Sequence, residues 1–182
     1  LVEATPIWET LKQRNPDFKT AVLFCQNTLY GNSDFIITPK PMHTDDGLVQ
    51  WCYSKPPGFY ESVCSSLGQP FNLFDYWGPF ASHKSSEWIM AAARQVVKEQ
   101  TPNFMVTYIP HLDYSAQKFG PDSEEVKNDL KVVNSLLIEF MDTLEETGLS
   151  DKAAVCLFSV YSLTPVTGAV CLSRLLRENS LL

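Results

Sequence analysis

The chain has 182 residues, of which 45% are hydrophobic and 19% charged, and its formal net charge is -7. This composition is typical of one globular domain with a sizeable core. The acidic balance and the lack of any Lys/Arg cluster exclude a nucleic acid or an anionic membrane as the main partner, because both need a concentrated positive surface. No apolar run approaches the roughly 20 residues that span a bilayer, and no basic segment followed by an apolar one opens the chain. We therefore expect a soluble, cytoplasmic protein.

The first predicted elements are a helix and a strand. The helix has Thr5 as its N-cap and Pro6 in its first turn, and Asn15-Pro16 ends it. The continuous apolar run from Lys19 to Cys25 predicts a parallel strand that is buried on both faces.

A long segment, residues 26–57, follows this strand. Its many Gly, Pro and Asn residues predict mostly loop, with one short strand at Asp34 to Thr38. Loops of this length are commonly lids or binding loops, and Trp51 and Tyr53 argue against disorder.

Within this loop region, His43 precedes Asp45 and Asp46. Imidazole nitrogen and carboxylate oxygen are both good ligands for a divalent cation, so His43 is a candidate contact for a metal ion or a substrate. Asp45-Asp46-Gly47 is equally ordinary turn chemistry, and both interpretations stay open.

The second half alternates helices with apolar runs. We predict helices at Gly58 to Leu67, Ser82 to Gln100, Ser123 to Thr147 (with Gly148 as C-cap) and Ala169 to Asn179, and strands at Phe104 to Ile109 and Ala153 to Phe158. The aromatic stretch 71–79 has no interleaved basic residues, which favours core or subunit contacts over base stacking. The alternation predicts a single α/β domain over residues 1–182, with a mostly parallel sheet flanked by helices.

The cysteines are odd in number, widely scattered and free of any C-x-x-C pair: Cys25, Cys52, Cys64, Cys156 and Cys171. We expect reduced thiols. Cys25 and Cys156 lie in apolar runs that look like central strands, where a thiol behaves as a small hydrophobe.

The strand at Phe104 to Ile109 opens abruptly into a polar segment, which we interpret as an active-site loop. Ligands of open α/β sheets bind beyond the carboxyl ends of the strands. His111 and Asp113 stand at such an end, so they are candidates for binding a substrate or a metal ion. The alternative is that His111 packs and Asp113 caps the helix that begins near Ser123.

Four motifs in order resemble the type I phosphodiesterase and nucleotide pyrophosphatase branch of the alkaline phosphatase superfamily. They are Pro6-Ile7-Trp8, the Lys19 to Cys25 run, the D-x-x-x-Q-x-x-G-P pattern from Asp113 to Pro121, and Ser159 to Leu163. The resemblance implies an alkaline-phosphatase-like fold and hydrolysis of a phosphodiester or pyrophosphate in a small phosphorylated substrate. It also implies two divalent metal ions, typically zinc, and a Thr or Ser nucleophile.

The chain departs from the family pattern at its metal ligands. The family's D-x-x-x-H becomes Asp113 with Gln117, and an amide oxygen is a weak zinc ligand, so this metal site would be weaker or would prefer a harder cation. The family's S-D-H-G-M motif becomes Ser159-Val160-Tyr161-Ser162-Leu163, in which Val160 cannot coordinate a metal ion. The second metal site is therefore expected to be lost or replaced by another chemistry. His111 and Gln117 would line the substrate pocket, and Tyr161 would either contact the phosphate through its hydroxyl or pack.

The resemblance also implies that the family's nucleophile and first metal-binding aspartate precede Pro6, and that its last metal-binding histidine follows the final motif. We therefore expect an incomplete fold, the middle part of a larger phosphodiesterase-like domain, with no activity of its own. The alternative is a non-catalytic pseudoenzyme or binding module with the same fold. Exposed sheet edges would favour self-association in either case.

Overall fold

The structure, a computed structural model, describes residues 4–181. In chain order the elements are α1 (Ile7–Arg14), β1 (Thr20–Leu23), β2 (Phe35–Pro39), β3 (Met42–Thr44), β4 (Gly47–Val49), β5 (Cys52–Lys55), α2 (Phe59–Leu67), α3 (Lys84–Gln100), β6 (Phe104–Thr107), α4 (Leu112–Phe119), α5 (Glu124–Glu146) and α6 (Leu172–Glu178). A 3₁₀ turn at Leu73–Asp75 precedes α3. Among the described helices, none has the length and apolar character that a bilayer crossing requires.

The main sheet has the strand order β5-β2-β1-β6. β1 pairs in parallel with both β2 and β6, whereas β5 pairs antiparallel with β2. This mixed, mostly parallel sheet flanked by helices confirms the predicted α/β class and is consistent with an alkaline-phosphatase-like fold. The parallel strands end together at Leu23, Pro39 and Thr107, a side that we call the carboxyl edge. The opposite side, where Thr20, Phe35 and Phe104 begin these strands, is the amino edge.

The core lies between β1 and α3. All four residues of β1 are buried, as the continuous apolar run predicts for a central parallel strand. Four aromatic rings pack against each other beside it, with the centroid of Phe24 at 4.6 Å from that of Phe71, 5.9 Å from that of Tyr76 and 5.8 Å from that of Trp88. Burying each such side chain stabilises the fold by about 1.5–3 kcal/mol. Phe71 and Tyr76 therefore belong to the core, as predicted for the aromatic stretch.

The segment 26–57 holds more regular structure than its composition predicts. Beyond the predicted strand β2, it contains the β3–β4 hairpin and the antiparallel strand β5. These strands have only three to four residues each, and the Pro and Gly residues that favour a loop stand at their ends. Strands this short are defined by their cross-strand partners rather than by a local pattern.

The ends of α1 and α5 differ in how well local signals predicted them. Pro6, not Thr5, is the N-cap of α1, because the Pro6 carbonyl already accepts the Thr10 N–H at 3.1 Å. At α5, the Ser123 hydroxyl accepts the Val126 N–H at 3.4 Å, and Gly148 follows the helix with a φ of 67°. The predicted start of α5 near Ser123 is therefore confirmed, with Ser123 as the N-cap, and the predicted stop is confirmed with Thr147 as the C-cap and Gly148 as the left-handed residue after it.

The predicted strand at Ala153 to Phe158 is wrong. After the Ala153 N–H donates to the Leu149 carbonyl at 2.9 Å, the chain has neither helix nor strand until α6 begins at Leu172. Leu157 and Phe158 are 66% and 71% exposed. An apolar run becomes a strand only when its backbone finds a sheet edge, and this run pairs with none. Cys156 is therefore exposed rather than buried in a strand, while all five cysteines are free thiols, as expected.

Candidate functional site

Residues 112–119 form helix α4 rather than the predicted active-site loop. The Tyr108 N–H donates to the Leu23 carbonyl at 3.1 Å, which extends β6 along β1 up to the carboxyl edge. The chain then turns at Pro110, and α4 begins at Leu112. Asp113 and Gln117 are four residues apart on this helix, a spacing that places their Cβ atoms about 5–6 Å apart on one face. The helix thus presents both motif side chains together at the carboxyl edge.

Asp113 is half-buried, and its carboxylate accepts a hydrogen bond from the Tyr161 hydroxyl. This bond raises the pKa of Tyr161 to about 12, because a phenolate would place a second negative charge beside the carboxylate. Burial first, and the Asp113 charge second, raise the pKa of Tyr108 as well. We call Tyr108, Asp113 and Tyr161 the Asp113 cluster. The structure therefore brings two of the predicted site residues, Asp113 and Tyr161, into direct contact.

Gln117 is exposed, and its side-chain amide makes no hydrogen bond with the part of the chain that the structure describes. Its amide is available to a ligand that reaches α4, as the prediction that it lines a pocket requires. No hydrogen bond between described residues joins the Gln117 amide to the Asp113 carboxylate.

His111 is 1% exposed, and its ring packs between α4 and α5. Its Nε2 lies 3.1 Å from the Asp129 carbonyl oxygen, so Nε2 carries the proton and donates. Burial lowers the pKa of His111, which keeps the ring neutral. Nδ1 is buried without a hydrogen-bond partner among the described residues. This burial fits the packing alternative, although His111 also lines a small cavity of about 180 Å³ with Tyr114 and Lys118. Contact between His111 and a substrate stays a prediction.

Asp113 also does not cap α5, since Ser123 fills that position.

His43 is exposed on β3, where it pairs with Leu48 across the hairpin. The hairpin joins Pro39 to Cys52, which are paired at the carboxyl edge, so it extends from the same edge as Asp113. Strand β1 separates β2 from β6, and the structure therefore places His43 and Asp113 on different strands of one edge rather than in one cluster. The Thr44 hydroxyl donates to the Gly47 carbonyl at 2.9 Å, which is the turn chemistry that the Asp-Asp-Gly sequence favours.

Lys40 is a carboxyl-edge residue that sequence reasoning missed. It follows β2 directly, and its Nζ donates to the Tyr30 hydroxyl at 2.7 Å. The same Nζ lies 5.1 Å from the Tyr30 ring centroid and 5.9 Å from that of Trp51, close enough for a cation–π interaction. The only signal in the sequence was a lone cation between two prolines at the end of a predicted strand.

A cavity of about 760 Å³ lies between α3 and α5, away from the predicted site residues. Trp88 and Leu136 line it together with Arg94 and Glu139, which form an ion pair with each other. Size alone does not make this cavity the functional site, because none of the predicted site residues lines it. The chemistry that the sequence predicts lies instead at the carboxyl edge.

The donors at Asp113 do not fit a pair of zinc ions. Across residues 4–181, no group of three or more His, Cys, Asp or Glu side chains is arranged to hold a metal ion. The carboxylate of Asp113 and the amide of Gln117 offer oxygen atoms only, whereas zinc sites in proteins combine any carboxylate oxygen with His nitrogen or Cys sulfur. Oxygen donors suit a hard cation such as Mg²⁺, which often binds through one carboxylate, several waters and the phosphates of a substrate.

One comparison with known proteins identifies a family. The family model described as type I phosphodiesterase / nucleotide pyrophosphatase matches residues 1–182. Neither the curated proteins nor the solved structures include a significant match. The family match spans all four motifs on which the resemblance was based.

Proposed function

Because this chain belongs to the type I phosphodiesterase and nucleotide pyrophosphatase family, we propose that its carboxyl edge binds the phosphodiester or pyrophosphate group of a small substrate for hydrolysis. The observation that supports this proposal is the position of Asp113 and Gln117 on one face of α4, at the edge where open α/β sheets bind ligands. Asp113 is the acidic group of the site, and Gln117 is an exposed amide beside it.

A phosphate group next to Asp113 needs a cation between them. Two negative groups within about 4 Å repel each other, and the half-buried position of Asp113 weakens screening by water. The described residues closest to Asp113 supply hydroxyl groups but no positive charge. We therefore propose that a divalent cation binds Asp113 together with the substrate phosphates, and that the oxygen donors select Mg²⁺ or Mn²⁺ over zinc.

Other edge residues extend this site in the proposal. Lys40 and His43 lie beyond the end of β2, where a cationic and an imidazole group face solvent on the same edge. They would contact the part of a substrate that extends away from Asp113. The proposed site does not include His111, because its ring is buried.

A second candidate is a non-catalytic module that binds a phosphorylated ligand without hydrolysing it. Val160 favours this candidate, because it stands where the resemblance implies a metal-binding aspartate and its side chain cannot coordinate a metal ion. The two candidates share the Asp113 site and differ in turnover.

The binding test uses Mn²⁺ with inorganic pyrophosphate, titrated by calorimetry into the wild-type chain, Asp113→Asn and Asp122→Asn. Asp122 is an exposed acidic residue just beyond α4 and serves as the control for charge. We expect Asp113→Asn to weaken binding at least about tenfold, equivalent to about 1.4 kcal/mol, and Asp122→Asn to leave it unchanged. Equal effects of the two variants, or no binding by the wild type, would contradict the proposed site.

Hydrolysis separates the two candidates. The same proteins are incubated with Mn²⁺ and bis(p-nitrophenyl) phosphate, whose release of p-nitrophenol is read by absorbance. Turnover that disappears in Asp113→Asn supports the hydrolase, whereas pyrophosphate binding without turnover supports the non-catalytic module.

A further inference from the structure

Tyr161 connects the C-terminal segment, residues 154–181, to the rest of the molecule. Within the described part of that segment, every other hydrogen bond and the one ion pair join residues of the segment to each other. The Tyr161 hydroxyl donates outside it, to Asp113, and lies beside the Tyr108 hydroxyl. The segment carries large exposed apolar side chains, among them Phe158 at 71% and Val160 at 78% exposure, so little packing holds it in place.

The acceptor of this bond is also the acidic group of the proposed site. Tyr161 donates to Oδ2 of Asp113, and it approaches from solvent, since its own side chain is 54% exposed. A cation that is held by both carboxylate oxygens needs lone pairs of Oδ2 as well as Oδ1. The hydrogen of the Tyr161 phenol is directed at Oδ2, so such a cation has to displace the hydroxyl.

We propose that Tyr161 is a positioning residue that competes with the ligand for Asp113: its hydroxyl holds the carboxylate and anchors segment 154–181 when the site is empty, and a cation–phosphate ligand displaces it. This inference rests on the proposed function, because it takes Asp113 as the cation-binding group. Ligand binding and release of the segment are then linked, and by reciprocity a variant that loses the anchor binds the ligand more tightly.

The first test compares the affinities of Tyr161→Phe and Tyr53→Phe for Mn²⁺ with inorganic pyrophosphate. Both variants remove one phenolic hydroxyl, and that of Tyr53 makes no hydrogen bond with a described residue. We expect Tyr161→Phe to bind roughly two- to tenfold more tightly than the wild type, the range set by losing one competing hydrogen bond to a charged group, and Tyr53→Phe to match the wild type. Weaker binding by Tyr161→Phe would make the hydroxyl part of the binding site and would overturn the competition.

The second test measures the anchoring directly by limited chymotrypsin cleavage at Leu157, Phe158 and residue 161, with fragments identified by mass spectrometry. Phenylalanine keeps the cleavage site at position 161. Without ligand, Tyr161→Phe should be cut several-fold faster than the wild type in this segment. Saturating Mn²⁺ and pyrophosphate should accelerate cleavage of the wild type and leave Tyr161→Phe unchanged. Identical cleavage of both proteins without ligand would overturn the inference.

The outcomes distinguish this inference from the proposed function. Binding that is lost in Asp113→Asn but unchanged in Tyr161→Phe overturns the competition alone. No binding by the wild type and Tyr161→Phe alike overturns the site and the competition together. Binding that Tyr161→Phe shows and the wild type lacks supports both.

Discussion

Two aspartates occupy opposite edges of the same sheet and are bound very differently. At the amino edge, Asp34 accepts the Thr20 N–H at 2.8 Å and the Thr20 hydroxyl at 3.1 Å, and it also pairs with the Lys12 ammonium. At the carboxyl edge, Asp113 accepts the hydroxyl of Tyr161, a side chain that is 54% exposed. The two carboxylates are the same chemical group but differ in the number of hydrogen-bond donors that contact them.

This difference suits Asp34 to stabilising the fold and Asp113 to binding a ligand. Asp34 joins α1 to the starts of β1 and β2, and its donors leave it little capacity for another partner. The hydrogen bond that Asp113 accepts comes from the half-exposed Tyr161, so a ligand can displace this donor at little cost to the fold. We therefore expect the amino edge to contribute to folding and the carboxyl edge to binding, and three measurements test that division.

The largest expected effect is that of removing the amino-edge carboxylate. Asp34→Ala should lower the free energy of unfolding by about 2–4 kcal/mol, because it removes charged hydrogen bonds and leaves the Thr20 N–H without an acceptor. Asp113→Ala should change it by about 1 kcal/mol or less, because it removes a single hydrogen bond, donated by the half-exposed Tyr161. Urea denaturation of both variants checks the prediction, and equal losses would remove the distinction between the edges.

Acid should reduce the stability that Asp34 contributes at the amino edge. Burial opposes ionisation of Asp34, but the hydrogen bonds from Lys12 and Thr20 outweigh it and hold the pKa of Asp34 below its usual value. The stability from this group is therefore present above the unfolded pKa, about 3.9, and is lost as the pH falls through the lower folded pKa. Between pH 6 and pH 2.5, Asp34→Asn should show a flatter loss of stability than the wild type. Parallel curves would show that Asp34 contributes nothing to the acid transition.

The smallest expected effects come from removing one hydroxyl group at each edge. Thr20→Val keeps the shape of a buried side chain but removes a hydroxyl that bonds both Asp34 and Ser33, so it should cost about 1–2 kcal/mol. Tyr161→Phe should cost less than about 0.5 kcal/mol, because its hydroxyl is exposed. Thermal unfolding followed by circular dichroism provides the comparison, and a larger loss in Tyr161→Phe would assign the carboxyl edge a structural role.

Local signals predicted the elements whose determinants lie within a few residues. The apolar run of β1, the periodic apolar face of α3, and the start of α5 at Ser123 with its stop at Gly148 all have the positions that the sequence indicates. Each depends on burial of a continuous pattern or on a side chain that bonds the backbone two or three residues away. The family resemblance was equally accessible, because it depends on the order of short motifs.

Contacts between residues that are distant in the sequence decided the structure of segments for which local sequence patterns were not sufficient. The run from Ala153 to Phe158 has the composition of a strand, yet it pairs with no sheet edge, whereas the less apolar β5 does so beside β2. Likewise, the polar residues after β6 suggested a loop, although their four-residue spacing suits the helix α4. Pairing partners lie outside any local window, which is why composition misjudged these segments.

The sequence by itself determined the α/β class, the family, the central strand and the identity of the acidic residue at the carboxyl edge, since these follow from patterning and motif order. Only the tertiary structure decided that His111 is buried against α5, that Lys40 lies at the same edge as the site, and that Tyr161 reaches Asp113 from 48 residues away. A hydrogen bond between such distant residues depends on where the intervening helices end in space, and no spacing along the chain encodes that position.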